Sequence, residues 1–198
     1  MLDWRNHGTP TGVRARAAGG ARVDLGSWAV LAALGFGSLR ALELWRLSCK
    51  VDVVNVAVLG TVAQSRAEEL SNVLKHAGSG LYLEVARAIA ESTEKHQPDS
   101  AAELKSRLER DALRAVSAAH GRLKRHAWLD ALTIVLIGLS GISAVMGPQP
   151  SASSALGLVA ATLLWWSNAR GARSIATQIF SGAMALVEGL VTLSRQAS

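Results

Sequence analysis

The residues of this chain that could do chemistry are few, and most lie inside apolar runs. Thr133, Ser140 and Ser143 fall within Ala127–Gly147, and Ser153, Ser154 and Thr162 lie at or within the next apolar run. Asp130 is the single charge of the first run, and Arg40 stands three residues before Glu43 after an earlier one, a spacing at which the two can pair on one helix face. Hydroxyls at these positions can bond back to their own helix carbonyls, or line a groove or pore. The usual catalytic arrangements are missing. None of the five histidines, His7, His76, His96, His120 and His126, shares a four-residue spacing with another, and Cys49 is the single cysteine. No phosphate-binding loop of the G-x-x-x-x-G-K-[ST] type and no G-x-S-x-G elbow occurs. Gly35-Phe36-Gly37 lacks the third glycine of a dinucleotide motif. The expectation is therefore no enzyme, no cofactor and no metal.

The elements that must carry these residues are membrane helices. Hydrophobic residues make up 49% of the 198 and charged residues 18%, where a soluble domain carries about 25%. Ala127–Gly147 would span roughly 31 Å as a helix, the thickness of a bilayer core. GPQPSAS (147–153) then turns the chain, and Ser154–Ala169 runs apolar and uncharged. Leu25–Leu39 is also uncharged, and extending it to Leu47 makes a full span. Trp128, Trp165 and Trp166 sit near proposed membrane ends, as interface anchors do.

Orientation follows from the basic flanks. Arg122, Lys124 and Arg125 precede the hairpin, Arg170 and Arg173 follow it, and the turn between has none, so both far ends are expected in the cytoplasm. The N-terminus then falls outside, against the preference of Arg14, Arg16 and Arg22. The same layout accounts for the net charge of +6 without nucleic acid, since basic and acidic residues alternate in the insert with no aromatic platform among them.

The expected organisation is a tail (1–24), a first membrane helix (25–47), a cytoplasmic helical insert (48–125), a membrane hairpin (126–170) and a cytoplasmic C-terminal helix (171–198). In the insert, S-x-x-E capping boxes at Ser65 and Ser100 open helices. Leu81 to about Lys95 reads as another helix, with Leu81, Val85, Ala88, Ile89 and Ser92 on one side. Leu104, Leu108, Ala112, Val116, Ala119 and Leu123 form one apolar stripe. The helix bearing them is expected to run unbroken into the membrane for roughly 45 residues. Ile175, Ile179, Met184, Leu186, Val187, Leu190, Val191 and Leu193 offer it a partner.

In this order of parts the chain, from about Ser27 to Gly189, resembles the MotA/TolQ/ExbB proton-channel family, and its ExbB/TolQ branch in particular. Four stretches carry the resemblance: RALELWRL after the first span, SRAEELSNVLKHAGSGLYLEVARAIAES in the insert, IGLSGISAVMG resembling the glycine-rich G-L-L-G-T-V-x-G motif, and SSALGLVAATLLWWSN resembling the T-T-A-L-G-L start of the last helix, with Asn168 at its end. The resemblance implies an all-α, three-span protein of the bacterial inner membrane. It implies a pentamer around a dimer of a single-span partner, ExbD- or TolR-like, whose membrane aspartate carries protons to drive rotation. Ser140, Ser143, Ser153, Ser154 and, more weakly, Thr162 are the expected pore lining. The sequence departs from the pattern in three places. The motif threonine falls on Ile142, the pore-proximal glutamate on Gln149, and the proline entering the glycine motif is absent. A non-conducting scaffold of the same fold therefore stands as the alternative. A soluble or peripheral helical bundle, with the hairpin as its core, is a third possibility.

Overall fold

The computed structural model describes residues 25–48, 50–64, 80–95, 101–146 and 152–197. Within them the chain is all-α: α1 (Leu25–Leu47), α2 (Val51–Ala63), α3 (Leu81–Lys95), α4 (Ala101–Arg125), α5 (Ala127–Met146) and α6 (Ala152–Ala197). The helix expected from Ser65, the turn at 147–151 and Gln149 lie outside the described residues, as do His7, His76, His96 and Cys49.

Three stretches are long and apolar enough to cross a membrane: Leu25–Ala63, Ala101–Met146 and Ser154–Gln196. This is a multi-pass membrane protein by the length and composition of its helices. Their outward faces are apolar, with Leu31, Leu39, Val135, Leu139, Val159 and Leu163 all exposed. In water such faces would be unstable, whereas in lipid they are the ordinary solvent-facing surface.

Close contacts at glycines fix the register. A methyl group added to Gly157 would lie 2.5 Å from Val30 Cγ1, and one added to Gly37 would lie 2.8 Å from Leu164 Cδ2. Further along, Gly171 approaches Leu44, Gly182 approaches Val51 and the Tyr82 ring, and Gly189 approaches Leu59. Both chains advance together, so α1 and then α2 run parallel to α6, and small residues let the backbones approach. The N-terminal end of α1 therefore lies at the same end of the bundle as the start of α6. With Cys49 replaced by serine, a membrane-impermeant thiol reagent should reach Leu25→Cys from one side only and Arg173→Cys from the other only. Labelling of both from one side would break this topology.

α2, α3, α4 and the second half of α6 enclose a core. Tyr82, Val85, Ile89, Leu108, Leu186 and Leu190 are among its fully buried side chains. The buried set of α4 is Leu104, Leu108, Ala112, Val116, Ala119 and Leu123, the same six positions as the sequence stripe. The α3 face is broader than its stripe. Tyr82, Leu83, Ala86 and Ala90 are also buried, because α3 meets α2, α4 and α6 at once. Of the stripe's other two positions, Ala88 is half-buried, and Ser92 donates its hydroxyl to Asp111 Oδ2 at 2.5 Å. The segment Val51–Ala63, assigned no element from the sequence, is α2. Asn55 anchors it by donating Nδ2 to Gly182 O at 3.1 Å while its Oδ1 accepts from the Tyr82 hydroxyl.

One expectation is corrected. The helix from residue 101 does not run unbroken into the membrane: α4 ends at Arg125, α5 begins at Ala127, and His126 is a turn between them. There the Leu129 N–H bonds His126 O at 3.0 Å, a tightened three-residue link. Polar side chains of α1 contact groups on both sides of the break.

Candidate functional site

Arg40 is the largest polar side chain buried in the described structure, 2% exposed, and it sits on the buried face of α1 with Ala33, Gly37 and Leu44. Its guanidinium reaches three elements. Nη1 pairs with Glu43 Oε2 at 2.8 Å one turn along α1, Nε donates to Asp130 Oδ2 at 3.3 Å in the first turn of α5, and Nη2 donates to Leu123 O at 3.0 Å in the last turn of α4. The planar fork of arginine is what makes three simultaneous bonds possible. His126, at the break itself, sets Nδ1 against Glu43 Oε1. Four side chains, from α1, α5 and the turn between α4 and α5, thus form one polar cluster around that junction. An ionisable group in a membrane span carries a desolvation cost of several kcal/mol unless paired and hydrogen-bonded. Here each donor edge of Arg40 meets an oxygen.

Basic residues flank the cluster, with Arg122, Lys124 and Arg125 in the last turn of α4. Trp45 and Trp128 are exposed beside it, and on α6 the Arg170 guanidinium stacks 5.3 Å from the centre of the exposed Trp166 ring. At the same level Asn168, 4% exposed, donates Nδ2 to Gly37 O at 2.8 Å and ties α6 to α1.

The hydroxyl residues do not form one lining within a single chain. Ser140 is buried at 4% exposure, facing into the chain's own helices, as does Thr133, whose hydroxyl bonds back to Leu129 O at 2.8 Å. Ser143 and Ser154 are half-buried. Thr162 is exposed on the outer face of α6 and bonds back to Leu158 O at 2.8 Å. Ser153 belongs to α6, and its side chain lies outside the description. Gly138 and Gly141 of the motif stretch have open space where a side chain would be, and Ile142 points outward beside them.

The sequence pointed to the Arg40–Glu43 pair and to Asp130 as an isolated charge, but not to their meeting, and it gave His126 no role. One signal was present. A lone cation and a lone anion each interrupt a different span near the same membrane edge, and intramembrane charges of opposite sign pair by default. Among the described residues no three His, Cys, Asp or Glu side chains converge as a metal site requires. Comparison with known protein-family models, curated proteins and solved structures gives no match.

Proposed function

We propose that the chain is a subunit of a proton-motive-force-driven complex of the ExbB/TolQ type in a bacterial inner membrane. In this reading it assembles as a homo-oligomer around a single-span, ExbD- or TolR-like partner. The observation that supports it best is the combination of a three-span bundle with two 46-residue stretches, Ala101–Met146 and Ala152–Ala197, that cross the membrane and continue into a helical body. A bundle of that shape joins an intramembrane event rigidly to a soluble one. At about 1.5 Å per residue, α6 alone reaches roughly 69 Å, more than twice a bilayer core. The outward apolar faces of α5 and α6 are where neighbouring subunits would seat. Ser143, Ser154 and Thr162 stand at or near those faces, where their hydroxyls would meet water or the partner's carboxyl.

The test is proton flux in vesicles carrying the chain together with its partner. Replacing Ser153 and Ser154 together by alanine should abolish the partner-dependent flux while leaving assembly intact. Unchanged flux would remove the hydroxyl pair from the pathway. The scaffold alternative keeps support from Ile142, exposed at the position of the motif threonine. It requires that the unaltered chain and partner show no flux at all.

A further inference from the structure

We propose that His126 is a proton port, the atom pair through which the buried charge cluster exchanges protons with water on the basic-flanked side of the membrane. This deepens the proton-motive reading and rests on it for the direction of flow alone. Nδ1 of His126 is closed off from solvent, and the polar atom set against it is Glu43 Oε1. Nδ1 makes no hydrogen bond to any other group, and beside an ionised Glu43 carboxylate the tautomer with its hydrogen on Nδ1 avoids opposing two lone pairs. In the neutral ring the other nitrogen, Nε2, is then the acceptor. The side chain is nevertheless 43% exposed, and with Nδ1 closed off that surface belongs to its other atoms. One nitrogen faces the cluster and the other edge faces water, which is the arrangement of a relay.

The charged groups around the ring are Arg40 and Glu43 on α1 and Asp130 on α5, with Arg122, Lys124 and Arg125 in the last turn of α4. Arg122 already pairs with Glu84 at 2.5 Å. One guanidinium stands between two carboxylates, so the buried part of the cluster has one negative charge that a single proton neutralises. Outward transfer runs in two steps. A protonated Glu43 carboxyl gives its proton from Oε1 to Nδ1 of a ring that carries its other hydrogen on Nε2. The resulting imidazolium releases the Nε2 proton to water. The ring is left with hydrogen on Nδ1 and Glu43 as carboxylate, which is the resting arrangement. Across the two steps one proton leaves the pair: the Glu43 proton moves to Nδ1, and the Nε2 proton goes to water. Uptake is the reverse.

Two measurements on the full chain in nanodiscs test this, and neither needs a partner or a flux. In nitrogen-15 histidine spectra, with the His126 signals assigned by their loss in His126→Asn, the neutral ring should carry its proton on Nδ1. In Glu43→Leu it should shift to Nε2. A ring protonated on Nε2 in the unaltered protein overturns the proposal. In the second measurement, a rapid acid jump is followed by the infrared band of the Glu43 carboxyl, assigned by its loss in Glu43→Gln. His126→Asn keeps an amide donor near the Nδ1 position but has no second ring nitrogen. It should slow the appearance of the band by at least about tenfold, in the range of a lost proton-transfer group. An unchanged rate overturns the port. Should the port behave as stated while vesicles with a partner show no proton flux, the motor reading fails and the port stands.

Discussion

Arg40→Leu is expected to lower folding stability by about 3 kcal/mol or somewhat more, the low side of the 3–5 kcal/mol seen when one member of a buried charge pair is removed. The low side applies because Glu43 and Asp130 each keep about a fifth of their side-chain surface exposed and are partly solvated once abandoned. Thermal unfolding in detergent, followed by helical circular dichroism, reads the change. The cause is stranded charge rather than lost packing. Arg40 is the partner of Asp130 Oδ2 at 3.3 Å and of Glu43 Oε2 at 2.8 Å, and its removal also leaves Leu123 O without a donor at the end of α4. The triple variant with Glu43→Leu and Asp130→Leu should therefore recover most of the loss, since exchanging a whole buried ionic group for apolar side chains is often neutral. Arg40→Lys should recover little, because an ammonium lacks the planar fork that serves three directions. If the triple variant were as unstable as the single one, the cluster would matter through shape and not through charge.

The cluster also marks how far the sequence could be read. The spans and the α4 stripe were legible because burial against lipid or a core imposes a period on the residues themselves. The break at His126 was not legible, because nothing local demands it: Ala127 and Leu123 are good helix formers, and no proline or glycine stands there. At the break, α1, more than eighty residues away, meets both helices: Arg40 takes a carbonyl from α4 and a carboxylate from α5. Similarly, α2 was silent in the sequence because VDVVNVAVLGTVA is apolar on nearly every side, so no face stands out. Its place is set by Gly182 and Gly189 of α6, which admit Val51 and Leu59. The hydroxyl positions were legible as residues but not as a site. Ser140 packs inside the chain and Thr162 lies on its outer face, so the two share no surface of one chain.

Leu186→Ala and Leu163→Ala separate that outer face from the closed core on one continuous helix. Leu186 is fully buried where α6 joins α2, α3 and α4, and deleting its branched end should lower stability by about 2–5 kcal/mol, the range for leucine truncation in a packed core. Leu163, 60% exposed in the membrane portion, touches mostly lipid in an isolated chain, and its truncation should stay within about 0.5 kcal/mol in fold stability. In lipid no hydrophobic force holds helices together, so association there depends on close packing of side chains. If the outer face of α6 seats a neighbouring subunit, Leu163→Ala will leave the melting temperature of the dispersed chain unchanged and yet lower the oligomer fraction seen by native mass spectrometry. Leu186→Ala will do the opposite at temperatures below its melting point. A Leu163→Ala protein that assembles like the parent would show that this face meets lipid, and subunit contacts would then have to be sought on α5, where Gly138 and Gly141 leave room for a close approach.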